Sequence, residues 1–326
     1  MIHRVVPLLL LAISLCGAQA ASDEPNWPAA KPVKFEVSAA AGGLIDMVPR
    51  RLSNYLSASI GVPVVVEDRP GAGGNIAAGL VARADPDGHA LLVTGSNQAV
   101  NPMLLPNPGF DYDRDLVPVS MLVASKFLLV ASPSFPAKNI TDLVKIARQK
   151  PKSVSIAISA IGTPNHLAAE MLAQFGDIDM TFVPYDSVAQ AIPDLIAGRV
   201  DLTVAALSSL LPQVRSGALN ALALTSPQRS PLALEIPTAA EAGMPELQID
   251  GWICVLAAGG TPAAIVARLD QEIAKVLALP EVRDAFAKQG IETFHMDPNQ
   301  LGAFLQAEAA RFSGLLKHSR FRRASP

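Results

Sequence analysis

The chain has 326 residues, of which half are hydrophobic and 17% are charged, and its formal net charge is −3. This length accommodates two lobes of ordinary domain size, and this composition excludes an intrinsically disordered polyelectrolyte. A nucleic-acid surface needs a basic excess or a clustered basic stripe. The nearest feature is a group of arginines at the C-terminus, which we interpret as a solvated tail, so we expect no nucleic-acid partner.

The first residues show the pattern of an export signal. A short positive segment precedes the apolar residues 5–16, which are too few to span a bilayer, and an A-x-A cleavage site ends at Ala20. We therefore expect a signal peptide over 1–20 and a mature protein in the periplasm. The alternative is a lipoprotein anchored at Cys16, but Leu15 stands where a lipobox has a small residue.

Cleavage at that site leaves one cysteine, Cys254, in an apolar stretch. One cysteine forms neither an internal disulfide nor a metal site, so we interpret it as a buried structural residue. The longest later apolar stretch, residues 116–136, is interrupted by Lys126 and by prolines. It predicts two strands and no membrane-spanning helix.

Strand-like and helix-like segments alternate along the rest of the chain, which predicts an α/β fold with mostly parallel sheets. The expected strands are 33–37, 62–67, 89–94, 120–131, 154–157, 180–185, 200–205, 218–225 and 249–257. The expected helices are 45–60, 75–84 with Asn75 as its cap, 140–149, 166–175, 188–197, 262–279, 281–289 and 298–317.

The order of these elements predicts that the chain builds one lobe, crosses to a second lobe and returns. We expect the crossings within residues 121–129 and 249–256, which makes a two-strand hinge that favours opening and closing around a ligand. The first lobe then comprises 21–123 and 251–326, and the second lobe comprises 124–250.

Several segments, in order along the whole mature chain, resemble the Bug family of extracytoplasmic solute receptors of tripartite tricarboxylate transporters. The matching pieces of the first lobe are Gly42-Gly43-Leu44-Ile45-Asp46, Val65-Val66-Glu67-Asp68-Arg69-Pro70-Gly71-Ala72-Gly73-Gly74-Asn75, Asp85-Pro86-Asp87-Gly88, Asn101-Pro102-Met103-Leu104 and Tyr112-Asp113-Arg114-Asp115-Leu116-Val117-Pro118-Val119. Those further along are His166-Leu167-Ala168, Val183-Pro184-Tyr185, Gly198-Arg199-Val200-Asp201, Pro237-Thr238-Ala239-Ala240-Glu241-Ala242-Gly243 and Gly259-Gly260-Thr261-Pro262.

The resemblance implies the two-lobed periplasmic-binding-protein fold of the second class. It implies a receptor that captures a small carboxylate-containing molecule between its lobes and delivers it to membrane transporter subunits. It also implies no catalysis, no metal and no cofactor. We expect a monomer, which suits a shuttle.

The sequence departs from the family pattern at two places where ligand is expected. The family usually continues Val-Pro-Tyr with Lys-Gly, whereas this chain has Asp186 and Ser187. The family usually has an aromatic residue or proline near the first loop, whereas this chain has the small run 38–41. An acid in place of a base disfavours a multiply anionic ligand such as citrate.

The expected ligand residues of the first lobe follow its first and third strands. Ala41, Gly42 and Gly43 are expected to present backbone N–H groups at a helix N-terminus, where the dipole favours an anion. Asp46 has two open roles, compensation of that dipole or contact with a ligand ammonium or hydroxyl group. The side chains of the third-strand loop, Ser96 and Asn97, suit a polar ligand, and a solvated loop is the alternative.

The second lobe offers a counterpart loop, in which Ser159, Gly162 and Thr163 are expected to supply N–H and hydroxyl donors. His166 has two open roles, a structural one at the helix start or ligand contact.

The next strand of the second lobe ends with two more candidates. Tyr185 offers a ring and a hydroxyl group, with a core tyrosine as the alternative, and Asp186 follows it directly. The glycine cluster at 71–74 lacks the lysine of a phosphate-binding loop and predicts a tight turn.

Two other classes of function stay open at this point. A ligand-sensing protein that feeds a signalling receptor has the same fold and pocket. An exported hydrolase needs a nucleophile beside a base, and the sequence lacks a Gly-x-Ser-x-Gly or His-Glu-x-x-His motif.

Overall fold

A computed structural model describes residues 27–105, 107–159 and 163–318. The expected signal peptide, Cys16, Gly162 and the arginine-rich tail lie outside the described residues. Within the described ranges, no helix combines the length and apolar character that a membrane crossing requires.

The first lobe opens with three parallel strands, each followed by a helix. The strands are β1 (Val33–Val37), β2 (Val64–Asp68) and β3 (Ala90–Gly95), and β1 lies between the other two. The helices are α1 (Leu44–Ile60), α2 (Asn75–Ala82) and α3 (Asn97–Leu104), and a 3₁₀ turn at Ala72–Gly74 precedes α2. Each helix N-terminus therefore lies at the carboxyl edge of this part of the sheet.

One long strand, β4 (Leu116–Ala131), links the two lobes. It pairs antiparallel with β9 (Asp250–Ala258) from Leu116 to Lys126, and with β7 (Leu202–Ala206) and β8 (Asn220–Leu224) from Phe127 to Ala131. We name the part of the sheet up to Lys126 the first lobe and the part from Phe127 the second lobe.

The expectation of two strands in this stretch was wrong. Pro118 lies where the register between β4 and β9 shifts, so its missing N–H does not break the ladder. Lys126 is neutralised by Glu292, with 2.8 Å between Nζ and Oε1, so a charge is tolerated inside the strand. Neither feature therefore ends β4.

The second lobe repeats the strand–helix pattern. Its strands β5 (Ser155–Ile158) and β6 (Thr181–Pro184) run parallel to each other and to β7. Its helices are α4 (Ile140–Gln149), α5 (Pro164–Gly176), α6 (Val188–Ile196) and α7 (Leu207–Arg215).

The chain then returns to the first lobe through β9, which inserts antiparallel between β3 and β4. The remaining elements are α8 (Ala263–Ala278), α9 (Pro280–Ala287), β10 (Ile291–Thr293) and α10 (Pro298–His318), with β10 antiparallel to β4. The sheet is therefore mixed, which corrects the expectation of mostly parallel sheets: the strands that link the lobes are the antiparallel ones.

Burial of apolar faces holds each lobe together. Val48, Leu52 and Leu56 recur at helical spacing along α1 and are all buried in the core that contains Phe35 of β1. The helix ends at Gly61, which adopts the left-handed conformation and donates its N–H to the carbonyl of Ser57.

Three described elements were not expected from the sequence, namely α3, α7 and β10. The cap expected for α2 was also wrong. Gly74 occupies the N-cap position, and the side chain of Asn75 instead accepts a hydrogen bond from Asn101, with 2.9 Å between Oδ1 and Nδ2.

The two chain crossings meet at Phe127, Thr225 and Ile249. Thr225 donates its N–H to the carbonyl of Phe127 at 2.9 Å and its hydroxyl to the carbonyl of Ile249 at 2.6 Å. Gly251 faces the ring of Phe127 so closely that a Cβ there would lie 2.6 Å from Cε1. The crossings are therefore tied to each other and closely packed.

We expect Gly251→Ala to destabilise the protein by about 1–3 kcal/mol, because the added methyl group overpacks against the buried ring of Phe127. Urea denaturation measures this, with Gly302→Ala as the control, since a Cβ at Gly302 meets its nearest atom at an ordinary 3.7 Å. Adding Phe127→Leu should make the double variant lose less stability than the sum of the single losses. Equal stability of Gly251→Ala and the control would contradict the described packing.

Candidate functional site

The direction of β4 places the carboxyl edges of both lobes beside each other. In the first lobe, β4 and β3 are both antiparallel to β9, so β4 runs parallel to β1–β3 and leaves at their carboxyl edge. In the second lobe, Phe127 pairs with Ala206, the last residue of β7, so β4 enters at the carboxyl edge of β5–β7. Loops that follow the parallel strands of both lobes therefore flank the crossing, where open α/β sheets bind ligands.

The first of these loops ends at the N-terminus of α1. Ala41, Gly42 and Gly43 are exposed, and Gly43 is the N-cap without a side-chain cap. Among the described residues, no acceptor lies on the N–H groups of Gly43, Leu44 or Ile45. A Cβ at Gly43 would meet only the carbonyl oxygen of Ala40, at 3.8 Å. This N-terminus therefore has unpaired donors and open space in front of them.

Asp46 shapes this loop from inside. The side chain is buried and accepts the N–H of Gly42 at 2.8 Å, which holds Gly42 in a left-handed conformation. Arg50 donates to Asp46 and to Asp68, so one guanidinium neutralises two carboxylates. Burial, followed by the charge of Asp46, raises the pKa of Asp68. Of the two roles left open for Asp46, this geometry supports the local structural one.

Ser96 and Asn97 are both buried at the start of α3. The amide of Asn97 is bonded through both of its polar atoms, because Oδ1 accepts the N–H of Gly95 at 3.2 Å and Nδ2 donates to the carbonyl of Gly73 at 2.6 Å. The hydroxyl oxygen of Ser96 has no hydrogen-bond partner among the described residues. These residues start a helix and do not form the solvated loop considered above.

The counterpart in the second lobe is the N-terminus of α5. Thr163 is the N-cap and accepts the N–H of His166 at 3.4 Å, and its hydroxyl lies 2.9 Å from that of Ser159. Asn165 is buried beneath them. Its amide oxygen accepts the N–H of Ser159, and its amide nitrogen donates to Thr203 at 3.2 Å. Ser159 and Thr163 thus lie together, while Gly162 is outside the described residues.

His166 is completely buried and packs edge-on against Phe182, with 6.3 Å between ring centroids. Glu170 lies one turn further along α5, with 3.7 Å between His166 Nε2 and Glu170 Oε1. Burial lowers the pKa of His166 to about 4, so the ring is neutral at neutral pH. It therefore brings no positive charge to an anion, and the described surroundings support the structural role.

Tyr185 and Asp186 follow β6. The hydroxyl of Tyr185 donates to Asp194 at 2.7 Å, and Asp194 also accepts from Arg199 at 2.9 Å. Burial, followed by the bond to Asp194, raises the pKa of Tyr185. Asp186 is exposed and has no ion pair among the described residues.

Sequence reasoning missed the polar side chains that support the loops, notably Ser38, Thr94, Asn101 and Asn165. The Ser38 and Thr94 hydroxyl oxygens lie 3.1 Å apart and connect the ends of β1 and β3. A signal was present, because a polar residue within or directly after a buried strand needs a partner.

The charge of the site is unusual for an anion-binding surface. Residues 38–43, 95–97, 159–163 and 184–187 contain neither lysine nor arginine. In the described part of the chain, no cluster of histidine, cysteine, aspartate and glutamate is suited to a metal ion. Backbone N–H groups and hydroxyl groups are therefore the donors that these loops offer.

Two lobes whose helix N-termini flank a common crossing define the class of two-lobed solute-binding proteins. The sequence profile of the family described as "Tripartite tricarboxylate transporter family receptor" matches residues 48–320. The chain belongs to this family, which is a family of solute receptors. The expected Bug-type identity and two-lobed fold are confirmed.

Three similar proteins support this assignment. Protein BugT of Bordetella pertussis is 32% identical over 97% of each chain. R. palustris Rpa4515, solved with adipate, is 31% identical with a TM-score of 0.81, covering 90% of this chain and 98% of its own. MatC from Rhodopseudomonas palustris, solved with bound malate, is 29% identical with a TM-score of 0.80, covering 89% of this chain and 99% of its own.

The neutral state of His166 predicts a pH dependence of stability. Its folded pKa lies below the unfolded value of about 6.5, so the unfolded state binds the extra proton and stability falls as the pH drops from 6.5 towards 4. Relative to His166→Gln, the wild type should lose about 2–3 kcal/mol between pH of about 7.5 and 4.5. Urea denaturation of both proteins at both pH values measures this, and parallel losses would show that His166 is not buried in neutral form.

Proposed function

We propose that this protein is exported to the periplasm, binds a small carboxylate between its lobes, and delivers it to the membrane subunits of a tripartite tricarboxylate-type transporter. The observation that carries the proposal is the pair of helix N-termini, of α1 and α5, at the facing carboxyl edges. At α1 the N–H groups of Gly43, Leu44 and Ile45 have no acceptor among the described residues, and at both helix N-termini the dipole favours a carboxylate. The relatives solved with adipate and malate support the same class of ligand.

We also propose how the ligand is enclosed. The lobes rotate about two crossings. At Lys126–Phe127 the partner of β4 changes from β9 to β7, and at Ile249–Asp250 the strand β9 begins. These positions lie close to the limits of 123 and 250 expected from the sequence. The protein acts as a monomeric carrier without catalysis and without a cofactor.

Twelve residues form the proposed ligand site, in two groups. The residues proposed to line the cleft surface are Ala41, Gly42, Gly43, Ser159, Thr163, Tyr185 and Asp186, and Gly162, which is outside the described residues, is included for its place in the sequence of the same loop. The buried residues beneath this surface are Asp46, Ser96, Asn97 and His166.

Thermal unfolding against a panel of small carboxylates tests the binding function. The mature protein is refolded to remove bound ligand and then scanned with adipate, malate, citrate, amino acids, nicotinate and aromatic acids. A carboxylate at 100 times its dissociation constant should stabilise the protein by about 2.7 kcal/mol, which raises the melting temperature. Absence of any shift across the panel would overturn the carboxylate proposal.

The substitution Gly43→Val tests the ligand site while leaving the stability of the fold unchanged. Gly43 has extended φ and ψ, and its Cβ position is open, so valine should leave the melting temperature of the free protein within about 1 °C. The isopropyl group would occupy the space in front of the α1 N-terminus, and we expect the shift given by the best carboxylate to be lost. Gly314→Ala is the control, because it also adds a Cβ in open space but on α10. Equal shifts in all three proteins would place the ligand elsewhere.

The charge of Asp186 predicts the charge of the ligand. An exposed carboxylate at the edge of the second lobe repels additional negative charge, so mono- or dicarboxylates should bind more tightly than citrate. Asp186→Lys should raise the affinity for citrate relative to malate by about fivefold to tenfold, as for one reversed charge pair near a protein surface. Calorimetric titration of both ligands measures this, and tighter binding of citrate by the wild type would refute the preference.

A further inference from the structure

Two asparagine side chains of α3 converge on one carbonyl group of the glycine turn that precedes α2. Asn97 Nδ2 lies 2.6 Å from the carbonyl oxygen of Gly73, and Asn101 Nδ2 lies 2.9 Å from it. Asn97 is 9% exposed and Asn101 is 1% exposed. Because both donors are side chains of α3, the position of this turn depends on that helix.

The turn packs directly against the start of the first ligand loop. Gly73 and Gly74 have φ values of 63° and 97°, which L side chains rarely adopt. A Cβ on Gly74 would lie 2.9 Å from Cβ of Ser38 and 2.6 Å from Nδ2 of Asn97. Glycine is required here for both conformation and space, so the turn is intrinsically mobile unless other groups hold it.

On the side away from residues 38–43, the hydrogen bonds of Asn101 continue through Asn75 to Tyr112. Its hydroxyl donates to Oδ1 of Asn75, which also accepts from Asn101 at 2.9 Å. Burial raises the pKa of Tyr112 to about 12, so the hydroxyl keeps its proton at neutral pH.

On the other side, the hydrogen bonds of Asn97 lead to the ends of β1 and β3, after which the proposed ligand residues follow. Oδ1 of Asn97 accepts the N–H of Gly95 at 3.2 Å and lies 3.4 Å from the hydroxyl oxygen of Thr94. Thr94 in turn contacts Ser38, with 3.1 Å between the hydroxyl oxygens. A continuous set of hydrogen bonds, buried at its end near Ser38 and partly buried elsewhere, therefore runs from Tyr112 to the beginning of residues 38–43.

We propose that Asn101 is a positioning residue for ligand binding, which holds the turn at 71–74 against Ser38 and thereby fixes the loop that carries Gly43. Asn97 shares this role. The inference rests on the proposed function, because it assigns residues 38–43 to the ligand site. Two sequence segments 26 positions apart, ending at Asn75 and beginning at Asn101, meet through these amides.

Asn101→Asp tests the proposal with little change in shape. The carboxylate replaces the Nδ2 donor by an acceptor that faces the carbonyl of Gly73 and the amide oxygen of Asn75. Both bonds from Asn101 are lost, and the carbonyl of Gly73 keeps only the bond from Asn97. The matched control is Asn139→Asp, at the N-cap of α4 in the second lobe, where aspartate caps as well as asparagine. Hydrogen–deuterium exchange of the ligand-free protein is followed for peptides covering 38–46, 71–76 and 140–149.

We expect exchange at 38–46 and 71–76 to accelerate at least tenfold in Asn101→Asp and to stay unchanged in the control. A protonated carboxyl group is again a donor, so the excess exchange should shrink as the pH falls from about 7 to about 4.5, after correction for the intrinsic rate.

Unchanged exchange at 38–46, or an increase confined to 71–76, would overturn the proposal, because Asn101 would then not act on the ligand loop. Tyr112→Phe provides a second variant if Asn101→Asp does not fold: losing the bond to Asn75 should accelerate the same two segments by about threefold. Exchange is measured without ligand, so a failed carboxylate panel with the wild type refutes the proposed function separately.

Discussion

The pairing of β4 with strands of both lobes is the constraint on which the rest of the structure depends. Because β4 is antiparallel to β9 on one side of Lys126 and to β7 on the other side, its direction decides which edges of the two lobes meet. The carboxyl edges meet, and these are the edges at which α1 and α5 begin. A reversed β7 would have brought helix C-termini to the crossing, which repel an anion. The direction of β4 relative to its partner strands therefore decides that the positive ends of the helix dipoles lie at the cleft.

In the proposed ligand site, the orientation of backbone groups takes the place of cationic side chains. A lysine or arginine would gain more Coulomb energy from a carboxylate, but it would also bind solvent and any other anion. Fixed N–H and hydroxyl groups depend on distance and direction, so a small displacement of Gly43 or of the Ser159 hydroxyl would change the fit to the proposed ligand. This dependence explains the supporting side chains beneath each loop: Asp46 holds Gly42 in the first lobe, and Asn165 holds Ser159 in the second.

Local sequence patterns were sufficient for most of the fold, because strand and helix periodicity and stop signals such as Gly61 act over a few residues. They failed where distant contacts decide. Lys126 was expected to interrupt the strand. Its charge is neutralised by Glu292, which lies 166 positions later and is not part of the local pattern. Asn97 was expected in a loop. The carbonyl of Gly73, to which its amide donates, belongs to another element and is not visible in the local pattern.

The candidate site shows the same division between local and distant determinants. The N-terminus at Gly43 was predictable, since glycine after a buried strand and before an amphipathic helix indicates an exposed helix start. The state of His166 was not, because its burial and lowered pKa come from Phe182 and the core around α5. The supporting role of Asn101 needed the structure as well, since no local rule connects it with a turn 28 positions earlier.

The position of β9 also constrains the order in which the chain folds. β9 fills the place between β3 and β4, so the first lobe cannot close its sheet until residue 258 has joined it. The second lobe needs only the continuous segment that begins at Phe127 and ends with the bonds of Thr225 to Ile249. Its contacts are closer in sequence and incur a smaller loop-closure entropy. We therefore expect the second lobe to assemble first. Its assembly brings Asp250 beside Lys126 and places β9 where it can pair with β3 and β4.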